Sequence, residues 1–379
     1  MVNNPYKTRV NNLCSWMADE NIDAVVIEDS EGRRSANLAY LSGMPSDALL
    51  IIFKEGKSVL LPWDEILAGK MASAGEIIGY SEYERDPVKA VSGLCKDKLS
   101  AGRIELSSQT PHLLYIEISG GLPAFEIVCR TNGAAEKLLE MRAVKDETEI
   151  EIYREAGQMT NRMIDALCGG FKSGEIKTEL DAALFIEAES RRLGAEGSSF
   201  ETLAAGASRS WGIHAFPSYT AGSIGDTAVG SSGGLSIIDC GLKYKGYCTD
   251  ITITVCRGTL SDKQERMVTL VQEAYDLASK AAESGISAAK LARKVDEHFA
   301  AGGYVMPHGL GHGVGLDVHE SPGIKDKDIY DKPILPGMIF TIEPGLYDAK
   351  EGGTRLENDF LMTEGGAVPL TSSRILRLP

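Results

Sequence analysis

Residues 235–255 read LSIIDCGLKYKGYCTDITITV. Two runs rich in β-branched residues flank a segment that contains Gly241 and Gly246. This pattern predicts two antiparallel strands joined by a short turn. Asp239 ends the first run and Asp250 precedes the second, so strand pairing would bring the two carboxylates together. For this segment alone, a solvated hairpin with two acidic ends is the more economical explanation.

A second segment, HGLGHGVGLDVHE at residues 308–320, holds three of the six histidines of the chain. Glycines separate His308, His312 and His319, and glycine lets the backbone approach a ligand closely while disfavouring a helix. We therefore predict short strands and turns here, without a helical pair of histidines. A single buried histidine is usually a hydrogen-bonded core residue, but three in one glycine-rich segment favour a binding site.

Two glutamates stand in strand-like segments near the end of the chain. Glu343 lies in the apolar run MIFTIEPG, where a buried charge must be paired, bound to metal or placed at an edge, because an unpaired one is costly. Glu357 follows Arg355 in TRLENDF, and strand alternation puts both side chains on one face. An ordinary ion pair between Arg355 and Glu357 is the alternative explanation for this segment.

Taken together, these segments supply four carboxylates and one imidazole: Asp239, Asp250, His312, Glu343 and Glu357. So much negative charge requires compensation, and two divalent cations provide it while binding and activating a water molecule. Each residue alone has an ordinary explanation, but their joint occurrence favours a dinuclear metal site. Oxygen-rich sites accept several metals according to supply, so cobalt, zinc and iron are alternatives. We expect manganese.

The composition limits the classes of function. A formal net charge of −15, without a basic patch, argues against nucleic acid as a partner. No apolar run has the length of a signal peptide core or a membrane span, so we expect no membrane association. The seven cysteines stand singly, without a CxxC pair, which is typical of a protein in the reducing cytoplasm.

The length of 379 residues predicts two domains. Residues 1–132 alternate strand-like and helical stretches and predict an α/β domain with a mixed sheet. Residues 133–146 are charged and helix-prone, and we expect them to form a helical linker. Residues 147–379 predict an α+β domain in which strands carry the ligands, so the chain as a whole is of the α+β class. The individual predictions are strands at 24–27, 48–53 and 58–62, and helices at 7–20, 64–74, 147–168, 178–193, 261–284 and 288–301.

The ordered segments resemble those of the pita-bread metallopeptidases, which include methionine aminopeptidase, Xaa-Pro aminopeptidase and prolidase. The resemblance covers nearly the whole chain. NLAYLSG at residues 37–43 is similar to the creatinase and prolidase type of N-terminal domain, and MRAVKDETEIEIYREA at 141–156 is similar to the helix that opens the catalytic domain. Methionine aminopeptidases lack this N-terminal domain, so the resemblance implies the Xaa-Pro aminopeptidase and prolidase branch, with a pita-bread catalytic domain.

The resemblance also implies a role for each candidate ligand. Asp239 would chelate one metal ion, and His312 and Glu343 would hold the other. Asp250 and Glu357 would bridge the two ions. Glu343 would also take a proton from the bridging water.

Four further residues receive roles from the same resemblance. His319 and His214, the latter in SWGIHAFPS, would hydrogen-bond the substrate and the developing oxyanion. His308 would line the substrate pocket. Arg355 would support the site by orienting the ligands.

The implied activity is that of a homodimeric metallo-exopeptidase, which cleaves small peptides between the N-terminal residue and proline through a metal-bridging hydroxide. Dipeptide-specific prolidases often carry an arginine just after the HExP segment, whereas HESP at residues 319–322 is followed here by Gly323 and Ile324. We therefore expect Xaa-Pro aminopeptidase action, with Xaa-Pro dipeptidase (prolidase) action as the alternative. A metal-free creatinase-type amidinohydrolase and a non-catalytic binding protein are more remote, because such relatives lack part of the ligand set.

Overall fold

A computed structural model describes residues 4–225 and 233–379. The chain forms two compact units, Met1–Arg142 and Ala143–Pro379, which we call the first and the second unit. The boundary lies inside the stretch 133–146 that we expected to connect two domains.

The first unit is built on a mixed six-stranded sheet with the strand order β4-β3-β2-β1-β5-β6. β1 pairs antiparallel with β2 and parallel with β5, as expected for an α/β domain with a mixed sheet. Its strands are β1 (Ala24–Asp29), β2 (Ala48–Phe53), β3 (Ser58–Pro62), β4 (Glu76–Ile77), β5 (Gly102–Leu106) and β6 (Phe125–Val128). Its helices are α1 (Pro5–Asp19), α2 (Ala36–Ser42), α3 (Glu65–Met71), α4 (Pro87–Lys98), α5 (His112–Gly121) and α6 (Ala134–Ala143).

Burial explains why these strands could be predicted. Every residue of β2, ALLIIF, is buried, and so is every residue of β3. A continuous apolar run of this length is typical of a strand covered on both faces. The predicted strands at 24–27, 48–53 and 58–62 are confirmed, and the first extends two residues further than expected.

The stretch 133–146 is helical, but most of its helix belongs to the first unit. Within α6, Leu138 is buried, and the backbone N–H of Ala134 donates to the buried carboxylate of Glu105 at 2.6 Å. The backbone carbonyl of Met141 accepts from the Tyr40 hydroxyl at 3.3 Å. These contacts tie α6 to β5 and α2 of the first unit, which explains why the structure divides near the end of the helix.

The second unit contains two sheets that carry the candidate site residues. One has the order β20-β12-β9-β8 and the other β14-β13-β15-β18-β19. The strands are β7 (Gly197–Ser198), β8 (Leu203–Ala205), β9 (Gly233–Cys240), β10 (Leu242–Tyr244), β11 (Tyr247–Cys248), β12 (Ile251–Gly258), β13 (Gly311–Gly313), β14 (Glu320–Ile324), β15 (Ile339–Ile342), β16 (Gly345–Asp348), β17 (Gly352–Arg355), β18 (Asn358–Thr363), β19 (Gly366–Pro369) and β20 (Ile375–Leu378).

Four helices pack on these sheets: α7 (Glu147–Ser173), α8 (Glu179–Arg192), α9 (Asp262–Ala281) and α10 (Ala288–Ala301). α7 and α8 share an apolar core with β9 and β12, whereas α9 and α10 share one with β15 and β18. All four helices were predicted, although α7 runs five residues beyond the expected end. Among the helices of the described ranges, none is long and apolar enough to span a membrane.

All seven cysteines are free thiols, and Cys240 and Cys248 beside the candidate ligands are buried. Burial raises the pKa of the Cys248 thiol to about 12. A thiol that stays protonated is a poor nucleophile and reacts slowly with oxidants. The surroundings of Cys248 therefore favour a packing role.

Glu179 of α8 anchors the loop 206–220, which carries His214. Its buried carboxylate accepts hydrogen bonds from Arg209 at 2.9 and 3.0 Å, from the Gly206 N–H at 2.7 Å, and from both the N–H and the hydroxyl of Thr220. Burial opposes ionisation, but these hydrogen bonds outweigh it and lower the pKa of Glu179. One ionised carboxylate therefore holds both ends of the loop.

Glu179→Gln should lower the free energy of unfolding by about 3 kcal/mol, because it leaves Arg209 without its buried partner. Since the pKa of Glu179 is lowered in the folded state, its contribution is present above the ordinary glutamate value of 4.5 and is lost as the pH falls through the folded value. The gap between wild type and variant should therefore narrow in acid. Urea unfolding near neutral pH and below pH 4.5 measures both effects.

Glu189→Gln on the same helix is the matched control. Glu189 pairs at 3.0 Å with Arg192, whose side chain is 70% exposed, and exposed pairs contribute about 0.5 kcal/mol or less. Equal destabilisation by the two substitutions would contradict the anchoring role of Glu179.

Candidate functional site

Two neighbouring strands and one bridging segment bring three carboxylates together. β9 and β12 pair antiparallel with Asp239 opposite Thr252, which confirms the predicted pairing of the two β-branched runs. The short turn predicted between them is wrong, because β10 and β11 form a pair of their own there. Thr252 forms a second antiparallel bridge with Glu357, and Asp250 directly precedes β12. Carboxylate oxygens of Asp239, Asp250 and Glu357 consequently lie within 4.8 Å of one another, close enough to share a metal ion.

The other sheet contributes His312 and Glu343. His312 is the central residue of β13, and Glu343 follows directly after β15, where its N–H donates to the carbonyl of Leu310 at 2.8 Å. His312 Nε2 lies 3.5 Å from Asp250 Oδ2 and 3.7 Å from Glu343 Oε1. All five predicted ligands therefore converge, and His312, Glu343 and Glu357 form a second group whose ligand atoms lie within 4.8 Å.

Glycine on each side of His312 makes this close approach feasible. A Cβ atom on Gly311 would lie 2.1 Å from the carbonyl oxygen of Thr341, and one on Gly313 would lie 2.0 Å from that of Ser321. Any larger residue would push the neighbouring strands apart. The glycines of the histidine segment thus serve strand packing around the imidazole, in an extended conformation as predicted.

His312 is prepared to act as a neutral ligand. Its Nδ1 lies 3.0 Å from the carbonyl oxygen of Gly313, which can only accept, so Nδ1 carries the proton and Nε2 presents a lone pair to the carboxylates. Burial, with a contribution from the nearby His319, lowers the pKa of His312 to about 4. The uncharged form that binds metal therefore prevails at neutral pH.

The carboxylates are crowded and buried, which favours a bound cation. Burial and then the repulsion of neighbouring carboxylates raise the pKa of Asp250 and Glu343 well above their ordinary values, and they raise that of Glu357 to about 7. Asp239 Oδ1 is buried and has no hydrogen-bond partner among the residues that the structure describes. Divalent cations would reduce the repulsion between the carboxylates and would give Asp239 Oδ1 a partner, so the donor set fits the metals predicted from it.

Arg355 contacts the candidate ligands from the side of β17. Its guanidinium group is buried, pairs with Asp239, and donates from Nε to the Thr252 hydroxyl at 2.9 Å. That hydroxyl in turn donates to Glu357 at 2.6 Å. Within the part of the chain that the structure describes, Arg355 forms an ion pair with Asp239 and none with Glu357. The alternative of an Arg355–Glu357 ion pair is therefore wrong.

The predicted histidines occupy different parts of the site. The Tyr347 hydroxyl accepts a hydrogen bond from Arg355 Nη1 at 2.9 Å. His308 Nδ1–H donates to the Gly309 carbonyl, so His308 Nε2 carries no proton and accepts from the Tyr347 hydroxyl at 3.0 Å. His319 is exposed, and its ring centre lies 4.2 Å from that of His312. With Asp250 and His312 it also forms a third group that could hold an ion. His214 is exposed on the loop 206–220.

All nine predicted site residues line one cavity of about 980 Å³. The volume suits a small peptide. Apolar side chains form part of its wall: Phe200, Leu203, Ile213, Phe216 and Val318.

Sequence analysis missed several residues that the structure places at the site. Asp359 is buried and accepts the N–H of Asp250 at 3.1 Å, and burial raises its pKa. An aspartate inside the apolar strand β18 was a signal that could have revealed it. Thr252 and Tyr347 carry no such signal, because threonine and tyrosine are ordinary strand residues. Lys325 also lines the cavity, and no local pattern marks it.

Comparison with known proteins agrees with this arrangement. Residues 151–364 match the model of metallopeptidase family M24, and residues 9–144 match the creatinase/prolidase N-terminal domain. The Xaa-Pro dipeptidase of Pyrococcus horikoshii is 32% identical, with 96% of this chain and 97% of that protein covered. The putative dipeptidase YkvY of Bacillus subtilis is 31% identical, with 96% of this chain and 97% of that protein covered.

Solved structures are similar over the same extent. The X-Pro aminopeptidase of Thermotoga maritima superposes with a TM-score of 0.83 at 27% identity, covering 98% of this chain and 99% of that one. The prolidase of Pyrococcus horikoshii superposes with a TM-score of 0.81 at 27% identity, covering 97% of this chain and 99% of that one. The predicted fold class, a creatinase-type N-terminal domain before a pita-bread domain, is confirmed. Because the family model matches a range that includes all five converging residues, the chain belongs to metallopeptidase family M24.

Proposed function

We propose that this metallopeptidase is a dinuclear enzyme that hydrolyses the bond between an N-terminal residue and proline in small peptides. The observation that carries the proposal is the convergence of four carboxylates and one imidazole in a cavity of peptide size. The substrate class is supported by relatives named Xaa-Pro dipeptidase and by a structural neighbour named X-Pro aminopeptidase.

In this proposal two ions, manganese by preference, are held by the five converging residues. Asp239 would hold one ion and His312 with Glu343 the other, and Asp250 and Glu357 would contribute to both. The short separations among their ligand atoms support the bridging roles. When bound, the ions supply Lewis acidity that polarises a peptide carbonyl and activates water near neutral pH.

The chain's own residues then move the proton and position the peptide. Glu343 accepts the proton of the attacking water and passes it to the departing proline nitrogen, which leaves as a secondary amine. His319 and His214 hydrogen-bond the substrate and the developing oxyanion, and their exposure toward the cavity suits this role. His308 lines the substrate pocket with its orientation set by Tyr347.

We also propose a cytoplasmic location and a homodimer. The seven free cysteines suit a reducing compartment. The homodimer is supported by the family resemblance, and sedimentation equilibrium of the purified chain tests it.

The peptide length distinguishes two candidate activities. The missing arginine after HESP at residues 319–322 favours an aminopeptidase that accepts longer peptides. The lysine at position 325 in the cavity wall favours a dipeptidase, because it offers a positive charge to a substrate carboxylate.

Asp250→Ala or Glu357→Ala should abolish metal occupancy and hydrolysis together, because each residue is proposed to touch both ions. Elemental analysis of the purified variants and a peptidase assay measure the two quantities. His319→Ala is the comparison variant: it should retain the metals and lose mainly kcat, since its proposed hydrogen bond strengthens in the transition state.

Two results would contradict these assignments. An Asp250 or Glu357 variant with both metals and full turnover would remove the bridging role. Metal loss in the His319 variant would instead make His319 a ligand, as its proximity to Asp250 and His312 permits.

Purified metal-free protein should hydrolyse Ala-Pro and Ala-Pro-Ala only after manganese is added. Ala-Ala serves as the control without proline and should be a much poorer substrate. Failure to cleave either proline peptide, with two metals bound, would overturn the substrate class while leaving the metal site in place.

A further inference from the structure

A buried ion pair lies directly beside His319. Lys145 Nζ donates to Glu320 Oε2 at 3.4 Å, and each of the two side chains is only 1% exposed. Glu320 follows His319 and is the first residue of β14. Lys145 comes from residues 141–156, a fully described segment from which no side chain lines the cavity. An apolar pair of similar volume is often as stable in such a place, so stability alone does not account for these buried charges.

The carboxylate of Glu320 closes the turn that carries His319. Glu320 Oε1 accepts the N–H of Asp317 at 3.1 Å, and the N–H of Gly315 donates to the carbonyl of Asp317 at 2.9 Å. A Cβ atom on Gly315 would lie 2.1 Å from Glu320 Oε1, so the carboxylate lies against the backbone of the turn. These contacts link both ends of residues 315–320 to each other.

The backbone at Lys145 is itself held on both sides. The N–H of Lys145 donates to the carbonyl of Gly337 at 2.9 Å, and Val144 forms an antiparallel bridge with Met338, just before β15. On the other side, Asp146 caps the N-terminus of α7. The lysine therefore starts from a fixed part of the backbone, and it fixes the direction of the Glu320 carboxylate.

The position of the His319 imidazole depends on this turn. Its ring centre lies 4.2 Å from that of His312, and its ligand atom lies within 4.8 Å of those of Asp250 and His312. Among the residues that the structure describes, none holds the exposed imidazole of His319 by a hydrogen bond. The backbone of residues 315–320 therefore decides where the ring points.

We propose that the Lys145–Glu320 ion pair positions His319 for catalysis. The inference rests on the proposed function, in which His319 hydrogen-bonds the substrate and the developing oxyanion. Lys145 orients the Glu320 carboxylate, the carboxylate holds the N–H of Asp317, and the closed turn directs the imidazole into the cavity. Lys145 and Glu320 are positioning residues, because their charged groups act on the substrate only through His319.

Replacing both partners, Lys145→Met with Glu320→Leu, removes the ion pair without leaving a single buried charge. This paired variant should fold and keep its metals. Its kcat for Ala-Pro should fall about a hundredfold with little change in KM, because a misplaced group loses mainly transition-state contacts. Elemental analysis and steady-state kinetics measure these quantities. A folded paired variant with wild-type kcat, or one that has lost its metals, would overturn the inference.

Gly315→Ala disturbs the same turn while both charges remain. The added Cβ atom must displace the Glu320 carboxylate, which lies 2.1 Å from its position. We expect retained metals and a lower kcat here as well, so this variant decides the matter if the paired variant does not fold. Full turnover in folded Gly315→Ala would contradict the positioning role.

A double-mutant cycle with His319→Ala distinguishes positioning from a general structural role. If the ion pair acts through His319, its replacement should lower kcat little further once the imidazole is absent. Fully additive losses would show that the pair acts elsewhere and would overturn the inference. Lys137→Met with Glu140→Leu on α6 is the matched control: the same exchange at the same 3.4 Å separation, but with side chains 32% and 52% exposed. It should leave kcat unchanged.

A crystal structure of the paired variant separates this inference from the proposed function, because it requires no turnover. The rings of His312 and His319 should lie further apart than 4.2 Å. Displaced rings, with no cleavage of any proline peptide by wild type, would support the positioning role and overturn the proposed function. Unchanged rings and unchanged kcat, with normal cleavage by wild type, would leave the proposed function standing and remove the role of the ion pair.

Discussion

Negative charge gathered in one buried place is the constraint on which the second unit depends. Burial and mutual repulsion raise the pKa of Asp250, Glu343 and Glu357, so the ionised cluster is unfavourable without cations. The ion pair of Arg355 with Asp239 offsets part of this negative charge. The cluster is therefore a site that cations stabilise, and metal binding and stability of this unit should be linked.

Backbone pairing holds this unfavourable arrangement in place. Asp239, Thr252 and Glu357 lie side by side on three adjoining segments, and the Asp250 N–H is held by Asp359. Apolar cores between the helices and both sheets supply the stabilising energy that a cluster of charges cannot. Rigid strands also keep the ligand atoms within the short separations that metal binding requires.

Around this rigid centre, side chains that we propose to contact the substrate stand on less regular segments. His214 stands on a loop anchored by Glu179, and Lys325 follows the last residue of β14. Such segments vary without disturbing the metal ligands, so they are suited to setting peptide length and sequence preference. A common metal centre can in this way serve enzymes that differ in the peptides they accept.

The five candidate ligands, the strands that carry them and most long helices could be predicted from sequence, because residue type and periodicity are local properties. The pairing of the two strands beside Asp239 and Asp250 followed from one hairpin-like segment. The tertiary structure decided what local pattern cannot encode: Arg355 pairs with Asp239 instead of Glu357, and Lys325 shares a cavity with His312. Those contacts depend on the register between strands that are distant in the chain, which only the packed sheets determine.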